Sequence, residues 1–446
     1  MGRKKWVWII LAFLLVFGYV KLFYKTWSEN AVPASADCVI ALDVKRVTNT
    51  LIWNFLTTPG QWKTGKLFQK KSRDTDWRDM VKLPDYILAF HSKGQPLNTW
   101  FVLLEIKSQT GFEAGLKKFG FEMINSNEYV SKPGGIYLLA QDEKILAGNI
   151  PVEDSNLIRQ VAKELFKEKK FIARTELKKA IDAKSHLAVY MAANDLIRET
   201  GILTAGFDKE KIRINGAVIP RNQYSLEEER FIYPSGSLCV LGFTQPSPAV
   251  FGLLNKNNIS KALSLDTDSV FVQSNTSYSL NLQDITERTD SAITYTYDDE
   301  FNKVEKLVVN RIQEPSFALY INGKDISSIY NYLQRNNKLE STASGDVFLP
   351  MPLVKSYCNK KTATSLSITS SNYNSTHVDE SIKAVLFFRL ALTKIPKDLF
   401  RYLPDAMAGS LSNIAEIDLS VTRKNEQLQV NGTLTKMKND LPLVKF

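Results

Sequence analysis

Residues 6–20 carry no charged side chain and are almost wholly apolar. Continuing to Tyr24 adds one cation, Lys21. A helix of about 19 residues reaches about 28 Å at about 1.5 Å per residue, close to the hydrocarbon thickness of a bilayer. Trp6, Trp8, Tyr19 and Tyr24 stand near the two ends of the stretch, where interfacial aromatics are preferred. Lys21 can extend its ammonium to the headgroup layer. Residues 6–24 are therefore expected to form a transmembrane helix, retained as a signal anchor. Arg3, Lys4 and Lys5, in a tail of residues 1–5, favour a cytoplasmic N-terminus and an extracytoplasmic body. A cleaved signal peptide is the rival. Ala34, Ser35 and Ala36 fit its small-residue pattern but lie far beyond Val20, and Asp37 before Cys38 does not suit a lipoprotein site.

The chain has 446 residues and a formal net charge of +10. Half of that excess comes from Arg3, Lys4, Lys5, Lys21 and Lys25, so the body carries only a modest positive charge. A basic balance can mark a nucleic-acid partner, but this one belongs largely to the membrane segment, and no nucleic-acid partner is expected. Hydrophobic residues at 44% and charged residues at 23% exclude a disordered, collagen-like or coiled-coil chain. Three isolated cysteines, Cys38, Cys239 and Cys358, show no metal-type spacing. They read as small buried hydrophobes or, with one left over, as a single long-range disulfide such as Cys239 with Cys358.

After a linker over residues 25–36, short apolar runs recur. Residues 38–43, 186–191 and 317–322 align without gaps: Cys38, Leu187 and Phe317 fall together, as do Ala41, Tyr190 and Tyr320. A second run follows each, at 100–106, 237–243 and 384–390, and leads into a helical stretch at 110–119, 248–254 and 396–403. Hairpins follow, at 128–140, 293–310 and 417–431. Asn194 or Asp195, and Lys324 with Asp325, sit at strand exits where a helix needs an N-cap acceptor. Leu157, Val161 and Leu165 recur every fourth residue and mark a helix over 156–167. Residues 336–344 read as a polar loop, and residues 365–379 as a strand edge or extended loop. The expected fold class is α+β, with tandem strand–helix and hairpin units on largely antiparallel sheets. The expected units are residues 37–184, 185–315 and 316–446.

The chemistry is marked by what is missing. His91, His186 and His377 are the three histidines, and none neighbours a nucleophile motif. No phosphate-binding glycine motif and no zinc-protease motif occurs. Asp298, Asp299 and Glu300 cluster at a hairpin tip, where like charges stay solvated rather than enclosing calcium. The triplets at Asn258, Asn275, Asn374 and Asn431 match the glycosylation pattern at a frequency chance explains. No catalytic, cofactor-binding or metal-binding residue is assigned, and no enzyme activity is expected.

Val32, Pro33, Ala34, Ser35 and Ala36 lead into the run from Cys38 to Asp43. A helix then ends at Phe119, Gly120 and Phe121, and the strand 144–148 follows. On these residues the chain resembles bacterial single-pass membrane-anchored proteins of unknown function with repetitive extracytoplasmic α+β domains. The likeness covers residues 32–200. It implies an envelope location and no activity. The expected function is that of a non-catalytic anchored protein that binds or organises another envelope component, either protein or lipid. A carrier of lipid or another apolar ligand is the alternative, and an envelope hydrolase with a dispersed site is the third reading.

Overall fold

The computed structural model describes residues 23–58, 77–96, 98–131, 135–194, 197–221, 226–244, 260–261, 264–271, 276–297, 299–324, 326–351, 354–374, 379–396, 411 and 413–437. The chain divides into two compact units, residues 1–221 with 440–446, and residues 222–439.

In unit 1, β1 (Ala36–Asp43) runs into α1 (Val44–Thr57), and the buried carboxylate of Asp43 accepts the Arg46 N–H at 2.8 Å as the N-cap. A helical turn, α2 (Trp77–Met80), precedes β2 (Val81–Lys82), β3 (Tyr86–Ser92) and β4 (Phe101–Ile106). Ser108 caps α3 (Gln109–Lys118) through the Gly111 N–H at 3.2 Å. Gly120, at φ +68, turns the chain out of that helix. Four strands follow: β5 (Phe121–Asn125), β6 (Glu128–Ser131), β7 (Ile136–Gln141) and β8 (Lys144–Gly148). Helix α4 (Ser155–Ala162) runs on as a π-helical turn, Lys163–Glu168. Then come α5 (Arg174–Asp182), β9 (Leu187–Met191), β10 (Gly201–Phe207) and β11 (Lys211–Val218).

The described strands of unit 1 are joined in the order β11-β10-β9-β1-β3-β4-β8-β7-β6-β5, every pairing antiparallel, with β2 also on β4. Helices pack on both faces of the sheet around β4, β7 and β8. Ile158, Val161, Leu165, Leu177 and Ala180 from α4, the π turn and α5 pack on Val39, Ala41, Phe90, Phe101, Tyr137 and Leu146. Phe112 and Leu116 of α3 pack with Met80 on Leu138 and Ile145 of the other face. Gly115 makes that contact possible, because a Cβ there would lie 2.1 Å from the Met80 sulfur.

Unit 2 begins with β12 (Glu229–Pro234) and β13 (Cys239–Thr244), followed by the turn α6 (Thr267–Phe271). Two long strands, β14 (Thr276–Tyr297) and β15 (Lys303–Gly323), lead to α7 (Ile326–Arg335). The remainder is β16 (Leu339–Thr342), β17 (Gly345–Phe348), β18 (Ser356–Thr362), β19 (Ser365–Ser370), β20 (Asp379–Ala384), β21 (Leu386–Ala391), β22 (Ile414–Lys424) and β23 (Gln427–Lys436). The main sheet runs β23-β22-β21-β13-β14-β15-β19-β18-β17-β16, again antiparallel throughout. A separate pair, β12 with β20, lays Phe231 and Tyr233 on Val240 and Phe387.

The two strand orders are the same once β1 is matched with β13, and each later strand with its counterpart. The registers agree in detail. Cys38–Leu42 pair with β9 in a ladder that begins at Cys38, and Cys239–Phe243 pair with β21 in a ladder that begins at Cys239. Asn337, at φ +54, leaves α7 two residues past its end, as Gly120 leaves α3.

This corrects the expected fold class. The chain is not an α+β series of three strand–helix and hairpin units; it is dominated by large antiparallel sheets, in two units of one topology. The expected boundary at 185 falls beside β9, which pairs directly with β1, and the boundary at 316 falls inside β15. Similar apolar runs were matched although they occupy different places in the sheet. The true partners are 38–43 with 237–243, 100–106 with 317–322, and 186–191 with 384–390. Residues 336–344, expected as a loop, largely build the β16–β17 hairpin, and 365–370 lies between β15 and β18 rather than at an edge. The helical stretches at 248–254 and 397–403 lie outside the described residues. Among the described residues, no helix is long and apolar enough to cross a membrane, so the expected transmembrane helix is not shown; residues 6–22 lie outside them.

Candidate functional site

The two described histidines, His91 and His186, are held by structural contacts. His91 places Nδ1 2.6 Å from Asp37 Oδ1, and Nε2 3.1 Å from the Pro96 carbonyl oxygen, so acceptors hold both ring nitrogens. His186 stacks on Phe207, accepts the Phe207 N–H at Nδ1 (3.2 Å) and reaches Thr50 Oγ1 from Nε2 (2.7 Å). Burial, with Arg46 nearby, holds its pKa below the ordinary value, which suits that neutral, hydrogen-bonded ring. His377 lies outside the described residues.

A buried carboxylate network in unit 1 is also structural. Glu128, on β6, accepts Arg159 Nε at 2.9 Å and Nη2 at 2.8 Å, Asn125 Nδ2 at 2.7 Å and the Tyr137 hydroxyl at 2.9 Å. The Arg159 pair dominates and holds the carboxyl at about 2. It pins α4 to the sheet of unit 1, with both carboxylate oxygens engaged. Among the described residues, no three of His, Cys, Asp and Glu gather to hold a metal ion. Asn194, expected as a helix cap, accepts the Ile197 N–H at 3.0 Å, and Asp195 lies outside the described residues.

All three cysteines are free thiols, so the pairing of Cys239 with Cys358 is absent. The two sit on β13 and β18, which are not neighbours in the sheet. Burial raises each thiol, to about 11 for Cys38 and about 12 for Cys358, far from the range of reactive cysteines.

Two hollows remain. A wide, open one of about 790 Å³ in unit 1 is lined by Phe23, Trp53 and Phe207 together with charged groups, of which Lys25 pairs with Asp43 and Arg213 with Asp208. The other lies within unit 2, has a volume of about 460 Å³, and is closed on opposite sides by the sheet and by α6 and α7. Leu241 and Phe243 of β13, Tyr278, Leu280 and Leu282 of β14, and Phe317, Leu319 and Ile321 of β15 form its floor. The alternation in β14 and β15 arises because every second side chain of a strand faces one way. Ile329 and Leu333, four apart on α7, and Val270 of α6 form the roof, with Phe348, Met351 and Ile368 closing the side. The described lining contains one side-chain polar atom, the Tyr278 hydroxyl, and it donates to the Val270 carbonyl oxygen at 2.7 Å. Such a lining can bind by apolar contact and dispersion.

Of the residues singled out from sequence, Arg3, Lys4, Lys5, Trp6, Trp8, Tyr19 and Lys21 lie outside the described residues. Tyr24 is described, is exposed, and its carbonyl oxygen accepts Lys45 Nζ at 2.5 Å. The apolar-ligand alternative implies such a hollow, but sequence reasoning assigns no residue to it. In the sequence its signal is the period-two run Tyr278, Leu280, Leu282, with the polar Ser279 and Asn281 between.

No known protein-family pattern matches the chain, and no curated protein sequence does. One solved structure, titled "Structure of crystal form I of TP0453", aligns over 45% of this chain and 81% of its own at 9% identity, with a TM-score of 0.27. That likeness is too slight to carry an argument.

Proposed function

We propose that this protein binds an apolar, lipid-like ligand in unit 2 while its opening apolar segment keeps it beside a bilayer. The observation that carries the reading is the cavity between the sheet and α7. Its volume of about 460 Å³ lies within the usual range of small-molecule sites, and its walls are apolar on every described side. A wholly apolar lining favours hydrocarbon over any polar metabolite, because a buried polar group without a partner costs about 1–3 kcal/mol. The ligand is thus an acyl chain or similar hydrocarbon whose polar end remains outside. The uncharged stretch 6–20 supports attachment to a membrane, and Arg3, Lys4 and Lys5 support a body on the extracytoplasmic side. The protein then works as a carrier or sensor held next to its ligand's source.

Photolabelling tests this. Membranes containing the full chain are incubated with a diazirine-bearing fatty acid, irradiated and digested, and adducts are mapped by mass spectrometry. Adducts are expected on peptides from β15 and α7, reduced by excess unlabelled fatty acid. Leu280→Trp combined with Leu319→Trp fills the cavity and is expected to abolish those adducts. Labelling elsewhere only, or full labelling of the filled variant, defeats the reading.

A further inference from the structure

The hairpin β14–β15 is far longer than the sheet it belongs to. β13 pairs with β14 only over Ser277–Leu282, and β19 pairs with β15 only over Ala318–Asn322. From the pair Asp284 with Ser316 to the pair Tyr297 with Lys303, the two strands pair with each other alone among the described strands. At about 3.3 Å per residue that ribbon is about 45 Å long. An isolated two-stranded ribbon is marginal in water, and natural sequences rarely leave apolar side chains exposed along one.

This ribbon does. Directly paired residues share a face, so Ile293 with Leu307, Tyr295 with Glu305, and Tyr297 with Lys303 lie together, and Val309 lies opposite Ser291 on the same side. Ile293 is 60% exposed, Tyr297 68%, Leu307 63%, and Phe301 in the turn 85%. With Tyr295 and Val309, this face and its turn offer on the order of 800 Å², close to the share of about 800 Å² that one partner contributes to a standard interface.

From these observations we infer that the ribbon is a dimerisation arm, and that its occupant is the same face of a second copy laid antiparallel across it. The face is self-complementary about Val308. Leu307 and Val309 flank that residue by one position on each side, so a two-fold rotation sets leucine over valine twice. Glu305 and Arg311, the latter also 3.5 Å from Glu287 of its own ribbon, flank it by three positions on opposite sides, so the same rotation sets each glutamate over an arginine of the other copy. Along β14 the centre is Ala292, the register partner of Val308, which places Ile293 over Ser291. Asp299 and Glu300 at the turn weigh against an anionic bilayer as the occupant. The inference does not depend on the ligand proposed for the cavity.

Sedimentation equilibrium of the full chain in density-matched detergent micelles tests it. A dimer is expected with a dissociation constant of about 1 µM or tighter. Leu307→Asp is expected to leave a monomer; the side chain is exposed, so the variant keeps the circular dichroism and melting of the parent. Glu305→Arg is expected to weaken the dimer by about tenfold through two like-charge contacts, and Glu305→Arg combined with Arg311→Glu to recover most of that loss. A monomer at about 20 µM, a dimer indifferent to Leu307→Asp, or a double reversal that restores nothing overturns the inference.

Discussion

Glu128→Gln removes one charge from the buried network that joins α4 to β6 and β7 and leaves its shape nearly unchanged. The carboxyl is held at about 2 against an ordinary 4.5, chiefly by the two hydrogen bonds from Arg159. At about 1.36 kcal/mol per pKa unit, the full shift corresponds to roughly 3 kcal/mol in favour of the ionised, folded form. Arg159 is 44% exposed, so solvent screens part of the pairing, and about 2 kcal/mol is the working value. Because the folded-state pKa is depressed, this contribution is complete above the unfolded value near 4.5. It drains away as pH falls from there through about 2. The assay is urea-dependent hydrogen exchange of the full chain, read on peptides covering Glu128–Ser131 and Ser155–Ala162, which reports unit 1 without assuming that both units unfold together. At pH 7 the variant is expected to open more easily by about 2 kcal/mol, and at pH 3 by less than half as much. A loss under about 0.5 kcal/mol at pH 7, or an equal loss at both pH values, refutes the assignment of the network as the clamp on α4.

Other consequences are equally direct. His186 has a lowered folded-state pKa, so an NMR titration should give a midpoint below about 6.5, and unit 1 should lose stability as pH falls through that midpoint. Gly242→Ala would put a Cβ 2.6 Å from the Phe231 ring, and a melting curve should show unit 2 destabilised by about 1–3 kcal/mol, with Phe231→Leu recovering part of it. Cys358, buried and with its thiol pushed up to about 12, should resist iodoacetamide at pH 8 in the folded chain and react fully in urea, as read by intact mass.

Local features were largely legible in the residues. The run 38–43 is a strand because it is continuously apolar and ends at Asp43, whose carboxylate can cap a helix. Leu157, Val161 and Leu165 announce α4 and the turn that extends it. The six apolar runs are all strands, yet their spacing suggested three units where the molecule has two. Cys38, Leu187 and Phe317 aligned as sequence, but they stand on β1, β9 and β15, three different places in a shared topology. A strand's composition records that it is buried, not which strands lie beside it. The same limit hid β19. Leu366 and Ile368 face the core under α7 while Ser365, Ser367 and Thr369 point the other way, and the serines and threonines made a central strand look like a loop.

By itself the amino-acid order determined where backbone turns, caps and apolar stripes arise, because these depend on side chains within a few positions of one another. It also set an uncharged opening stretch and three histidines and three cysteines scattered along the chain. Only the tertiary structure decided that two units share one strand order, that β14 and β15 outrun their sheet, and that α7 spans a hollow instead of filling it. Those outcomes rest on pairings between residues tens to more than a hundred positions apart, and on how much volume distant side chains leave between a sheet and a helix. Neither quantity is written in any short stretch of chain.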